Sequence, residues 1–340
     1  MWVSFNQDGS CLILGTSNGF RVYNCIPFGK FYTSDDGVGV GCAEMLFSTS
    51  IVAMSGSGEH DSPRKLRIVN TRKPSAESVL CELTFPTTVR RIRMNRQRLA
   101  VVLDTQVYVY DVSNMRLLTV IETIENKLGL VSITSDIQPG SSVIVYPASS
   151  VLEHSVASNH KRSQTSGDVA IFDCESNSLK STVHAHKSRL AALVLSADGS
   201  LMATASHRGT IIRVFSLPSG RLLHELRRGS SPTQIYSIAF NYGAKLLCVS
   251  SANMTVHIYK LDEDDAAKSK SKSWLSKAPE TGTRSYAYFK LPLAHGTRTV
   301  LAMAPLSNVV LVAAETGVLF QYMVDIDKGG ECRKIGEFAL

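Results

Sequence analysis

No apolar run in the chain approaches the roughly 20 residues that a membrane-spanning helix needs, so any membrane contact must be peripheral. The start, MWVSFNQDGS, has no basic segment with an apolar core behind it, and no signal peptide is expected. Cysteine pairing signals are missing too. The 7 cysteines are scattered, no CxxC occurs, and no histidine stands at ligand spacing from a cysteine. This argues against a bound metal and reads as reduced thiols in a cytosolic protein. HExxH, P-loop and GxSxG motifs are absent. The run GVGVG, Gly37 to Gly41, lacks the strand-to-helix setting of a nucleotide loop and reads as a connection. Neither catalysis nor a cofactor is expected.

What is present is strand chemistry in repeat. Within 340 residues, one unit recurs: an apolar strand, a turn with Asp, Asn or Gly, a second apolar strand, a small-residue turn, and a third strand ending in an aromatic or β-branched pair. The clearest copies are LAALVLSADGSLMATASHRGTIIRVFSL and IYSIAFNYGAKLLCVSSANMTVHIYKL. Equivalent third-strand residues are Tyr23, Val69, Tyr110, Phe172, Phe215, Tyr259 and Tyr322, mostly about 41 to 46 residues apart. That is the period of four-stranded propeller blades. No long amphipathic helix competes. The pattern predicts an all-β chain, a single WD40-like seven-bladed β-propeller over 1–340, whose first segment can complete the last blade.

Two intervals are stretched by roughly 20 residues. The first excess, 147–166, is Ser-rich and predicts a polar surface loop. The second, 262–285 in blade six, is acidic and then alternates lysine with serine around Trp274-Leu275. A loop this long is functional or disordered. A Trp-Leu pair among lysines is odd for a mere linker.

Two adjacent arginines, Arg227 and Arg228, lie in LLHELRRGSS. On a strand they point to opposite sides, so they can serve two separate anions. Before the pair stand His186, Thr204, Ser206, Thr210 and Arg213. After it come Ser251, Thr255 and His257, the last two sharing a strand face. Each flank thus offers hydroxyls, an imidazole and an arginine, the donors that a phosphate monoester wants. The same residues also fit a plainer account. An Arg-Arg pair is commonly a solvated face, Ser and Thr close turns, and blade histidines bond within the blade.

The segment ATASHRGTIIRVFSLPSGRLLHELRRGSSPTQIYSIAFN resembles the signature of the PROPPINs, autophagy-related WD-repeat proteins that bind phosphoinositides. The likeness covers nearly the whole chain, including SFNQDGSCLILGTSNGFRVYN and CELTFPTTVRRIRMNRQRLAVVL. Leu226 stands where the family usually has Phe. The resemblance implies two headgroup sites on the rim, either side of blade five, for phosphatidylinositol 3-phosphate and phosphatidylinositol 3,5-bisphosphate. It assigns His186, Thr204, Ser206, Gly209, Thr210, Arg213 and Arg227 to the first. Arg228, Ser251, Thr255 and His257 fall to the second, with Gly229 permitting the turn after the pair. It also makes Trp274 and Leu275 a membrane-inserting element, and Pro63-Arg64 part of a loop that recruits an autophagic lipid-transfer protein. A monomer in solution is expected, docking on preautophagosomal, endosomal or vacuolar/lysosomal membranes.

The net charge of +7 suits such anionic partners. The site histidines are expected to strengthen binding when protonated, near their reference pKa of about 6.5. Phosphorylation of Ser269, Ser271, Ser273 or Ser276 is expected to offset the loop lysines. Two rival classes remain: a scaffold propeller that binds only proteins, and a nucleic-acid binder. The second lacks any recognised motif or aromatic-basic stripe, and no nucleic acid is expected.

Overall fold

Short stretches rich in Val, Ile, Leu and Tyr, bounded by Asp, Asn, Gly and Ser, become strands because such residues pack well on a pleated surface. The structure is a computed structural model and describes residues 1–34, 36–58, 61–74, 77–135, 142–148, 167–261 and 282–340. These residues form seven sheets, each built on four antiparallel strands taken blade by blade along the chain, and one of them carries a fifth strand. The molecule is a seven-bladed β-propeller.

The seven third-strand residues singled out by the repeat occupy one structural position. Each is the next-to-last residue of its strand, as Tyr23 in Gly19–Asn24, Phe215 in Ile211–Ser216 and Tyr259 in Thr255–Lys260. All seven are buried. Burial of each large side chain contributes roughly 1.5–3 kcal/mol.

The inner strands are buried on both faces because a blade is stacked on both sides. In blade one, Leu12 and Leu14 pack with Leu311 and Ala313 of blade seven, while Cys11 and Ile13 pack with Val52 and Met54 of blade two. Alternate residues of one strand therefore serve two different seams. The same division repeats around the ring, and each hydrophobic cluster joins two neighbouring blades.

The ring closes differently from the expectation. Trp2–Phe5 pairs with Cys11–Thr16 inside blade one, and blade seven is completed by its own Arg333–Ala339. No strand is exchanged, since each of the seven units supplies all four of its strands. Side chains make the closure instead. Phe28 stacks on Phe338 at 4.3 Å, and Gln321 Nε2 donates to the Cys25 carbonyl at 2.7 Å. Before returning to blade seven, the chain adds Gly330–Glu331 as a fifth, parallel strand on the outer edge of blade six.

Both long connections are shorter than their sequence limits. Pro147 and Ala148 end the strand Val143–Ala148, opposite Val169 and Asp168, and 149–166 lie outside the described residues. So do 262–281, including Trp274 and Leu275. Among the described residues, no helix is long and apolar enough to cross a membrane, and no His/Cys/Asp/Glu group could hold a metal.

Candidate functional site

Arg227 ends the outer strand of blade five, Arg221–Arg227, which runs against Ile211–Ser216, and Arg228 follows it. Leu226 directly precedes the pair and is fully buried, packed with Ile212, Ile235 and Val249. The short form of this anchor, Leu in place of Phe, fills its seam. Arg227 and Arg228 then diverge. Arg227 is half-buried, and its guanidinium has no hydrogen-bond or ion-pair partner among the described residues. Tyr259 Oη donates to its carbonyl at 3.1 Å.

Arg228 is buried, 7% exposed, and turned inward. Its Nε donates to the Gly209 carbonyl at 2.8 Å, and Nη2 donates to the Ser231 carbonyl. Burial holds its pKa below the ordinary arginine value. A guanidinium keeps its proton all the same, so this is a fixed buried charge.

The first candidate group forms in blade five with the edge of blade four. His186 Nε2 lies 2.9 Å from Thr204 Oγ1, and Thr204 is directly opposite Arg213. Arg213 is committed. Its Nε and Nη2 both reach Glu225 Oε1 at 2.8 Å, and its Nη1 donates to the Ala185 carbonyl at 2.7 Å. Thr204 is fully buried and Ser206 nearly so, which makes them supports for the wall. Thr210 is partly exposed, and its carbonyl accepts the Arg228 N–H at 2.9 Å.

The second group lies in blade six. Thr255 and His257 are partly exposed while Val256 and Ile258 are buried, so the two polar side chains share the outer face. His257 Nδ1 is 3.2 Å from Ser285 Oγ. Ser251 is buried and its Oγ has no hydrogen-bond partner, an orphaned hydroxyl beside this strand.

The histidines do not titrate where the sequence alone places them. Burial, with Arg213 beside it, pulls His186 down to about 4. Burial, with Arg228 beside it, pulls His257 down to about 4. Both rings are therefore neutral at physiological pH in the free protein.

The indispensable glycine is also a different one. Gly229 has no positive φ, and a Cβ there would meet nothing within 4 Å. The turn after the pair is held by Arg228 on the Ser231 carbonyl instead. Gly209 has a φ of +59°, and a Cβ there would meet the Thr233 carbonyl oxygen at 1.9 Å.

The PROPPIN family model matches residues 1–280. Autophagy-related protein 18 of Yarrowia lipolytica is 40% identical over 387 residues, covering 100% of this chain and 96% of that protein. The Mycosarcoma maydis protein of the same name is 34% identical, covering 99% of this chain and 92% of the relative.

The chain belongs to the PROPPIN family.

Among solved structures, the complex of KlAtg21 with the coiled-coil of AgAtg16 matches this PROPPIN with a TM-score of 0.80 at 32% identity, covering 100% of this chain and 99% of that one. Kluyveromyces lactis Hsv2 matches with a TM-score of 0.77 at 19% identity and shares the fold. PROPPINs are autophagy propellers with a general affinity for phosphoinositides, and they are not enzymes.

In this PROPPIN, His186, Thr204 and Arg213 adjoin in blades four and five, and Thr255 and His257 share a face in blade six. Pro63 and Arg64 lie elsewhere, in the turn before the third strand of blade two, Lys65–Asn70. The Arg64 side chain there donates from Nε to the Phe85 carbonyl at 2.9 Å. Sequence reasoning missed Glu225, Tyr259 and Ser285. Glu225 carried a signal, since cross-strand pairing puts it opposite Arg213. Ser285 carried none, because it adjoins His257 only after the long blade-six connection returns.

Proposed function

We propose that this PROPPIN is a peripheral membrane effector that reads 3-phosphorylated phosphoinositides through two sites flanking Leu226 to Gly229. The observation that carries this reading is the guanidinium of Arg227, without a partner among the described residues and set on a strand whose next residue, Arg228, is a fixed cation on the other side. Phosphate oxygens accept charge-assisted hydrogen bonds worth on the order of 1.5–3 kcal/mol each. Arg227, Arg213 and Thr210 are the groups of the first site, with His186, Thr204, Ser206 and Gly209 supporting them. Arg228, Thr255, His257 and the orphaned Ser251 hydroxyl make the second. The ligands of this reading are phosphatidylinositol 3-phosphate and phosphatidylinositol 3,5-bisphosphate.

One weak anchor gives only marginal, reversible membrane binding, so docking combines signals. A second headgroup binds at high effective concentration once the first is held. Insertion of Trp274 and Leu275 adds roughly 1.5–3 kcal/mol each, and the loop lysines about 1 kcal/mol apiece beside anionic lipid. Docked by its rim on preautophagosomal, endosomal or vacuolar/lysosomal membranes, a single copy leaves other edges free for proteins. Recruitment of a lipid-transfer protein through the Pro63-Arg64 turn is part of this reading. Engagement of a coiled coil is the further option that the KlAtg21 complex supports.

Liposome co-sedimentation across a phosphoinositide panel tests it, with wild type beside Arg227→Thr/Arg228→Thr. Selective pelleting with 3-phosphorylated lipids, lost in the double variant, is the expected result. Equal binding by both proteins would make the propeller a protein scaffold whose arginines serve solubility.

A further inference from the structure

The returning end of the blade-six connection lies against both candidate sites. The Arg227 N–H donates to the Thr283 carbonyl at 2.8 Å, and the Thr283 N–H donates to the Glu225 carbonyl at 2.8 Å. Thr283 and Leu226 thereby form a parallel bridge between the connection and the arginine strand. Gly282 permits the approach. Its φ is +109°, and a Cβ there would crowd the Arg227 Cβ at 3.1 Å and the Glu225 carbonyl oxygen at 3.2 Å. Two residues after Thr283, Ser285 places its hydroxyl on His257 Nδ1 at 3.2 Å. One short segment touches the backbone of Arg227 in the first group and the imidazole of the second.

The chemistry of the second contact is specific. A neutral imidazole carries one N–H, on either nitrogen, and the other nitrogen is an acceptor. A phosphate dianion offers acceptors only, so an imidazole with its hydrogen on Nδ1 would present a lone pair to it. A serine hydroxyl that donates to Nδ1 fixes the hydrogen on Nε2 and makes that nitrogen a donor. His257 then gives a hydrogen bond to an anion without being charged. His186 has no such freedom, because its Nε2 is already bound to Thr204 Oγ1.

We propose that Gly282–Ser285 is a positioning segment for both anion sites, with Thr283 fixing the strand that carries Arg227 and Ser285 selecting the His257 tautomer that donates from Nε2. The proposal rests on the headgroup reading above and deepens it. Neither residue needs to touch the ligand. The described end of the connection thus rests on the groups that hold the headgroup.

The test titrates the full chain with soluble inositol 1,3-bisphosphate, which carries the headgroup phosphates without acyl chains or a bilayer. Ser285→Ala, Ser285→Thr, Thr283→Pro and Arg227→Thr/Arg228→Thr are compared by calorimetry and by ¹⁵N shifts of the His257 ring. Ser285→Ala is expected to weaken one of two sites about three- to tenfold and to give mixed tautomer shifts. Ser285→Thr, which keeps the hydroxyl, restores both. Thr283→Pro removes the N–H that reaches Glu225 and weakens the other site. Wild-type affinity and an unchanged His257 tautomer in Ser285→Ala, with binding still abolished in the double arginine variant, would overturn the proposal. Full binding by the double arginine variant would overturn the headgroup reading itself, and the positioning role with it.

Discussion

Arg228 reaches back across 19 residues to Gly209, with its Nε on the glycine carbonyl at 2.8 Å. That bond pins the turn of blade five to the start of the link into blade six. The neighbouring Arg227 makes no such bond, so two adjacent residues of one type do different work. Arg227 is charge on offer. Arg228 is charge in the wall.

Single substitutions should separate these roles. Arg228→Ala leaves the Gly209 and Ser231 carbonyls without their donor and is expected to cost about 1–3 kcal/mol, seen as a Tm lower by several degrees. Arg227→Ala is expected to melt within about 0.5 kcal/mol of wild type and yet bind phosphatidylinositol 3-phosphate vesicles at least about tenfold more weakly. Equal melting of the two variants would contradict the assignment.

Gly209→Ala is expected to destabilise by more than about 1 kcal/mol, since the residue is left-handed and its new methyl meets the Thr233 carbonyl. Gly229→Ala should be nearly silent in the same thermal melt, because open space surrounds it. A reversed order would show that the turn after the pair, not the one before it, needs glycine.

Glu225 neutralises Arg213 across the strand pair. Glu225→Gln is expected to raise affinity for anionic vesicles about two- to fivefold at low salt, with a steeper loss as salt is added. Unchanged affinity and salt slope would mean that Arg213 serves only the blade.

The histidines set a pH signature. Their folded pKa values, about 4, lie below the unfolded value, so the unfolded chain takes up protons first as pH falls. Stability from this source is complete above about pH 6.5 and is lost between there and about 4, on the order of 1–3 kcal/mol per ring. Urea midpoints across that range should fall in wild type and fall less in His186→Asn or His257→Asn. Vesicle binding should be nearly flat from pH 5.5 to 7.5. A rise in affinity centred near 6.5 would show that the free rings are not desolvated as the structure has them.

The propeller was legible because one position per blade repeats a physical requirement. Tyr23, Phe215 and Tyr259 all fill a seam near the end of the third strand, and that need recurs with the blade. The fourth strands were harder to see. Gly29–Ser34 has no buried residue and shows little apolar alternation, so the repeat displays three strands per unit and leaves open that the first segment completes the last blade. Around the arginine pair, residue types were enough to nominate the two groups. They could not show that Arg228 turns inward, that Arg213 is held by Glu225, or that both imidazoles are desolvated. Those properties arise from the neighbours that folding supplies, Ser285 among them.

The unexchanged closure also sets the order of events as the chain is made. The four antiparallel strands of each blade follow one another along the chain, so a blade can form soon after it leaves the ribosome. One flank of blade one is different: Leu12, Leu14 and Tyr23 are covered by Leu311, Ala313 and Leu319, which are synthesised only after all the other blades. Gln321 meets Cys25 only across 296 residues. Until the seventh blade emerges, the first waits with one apolar side bare, and that side is where the nascent propeller most needs chaperone cover.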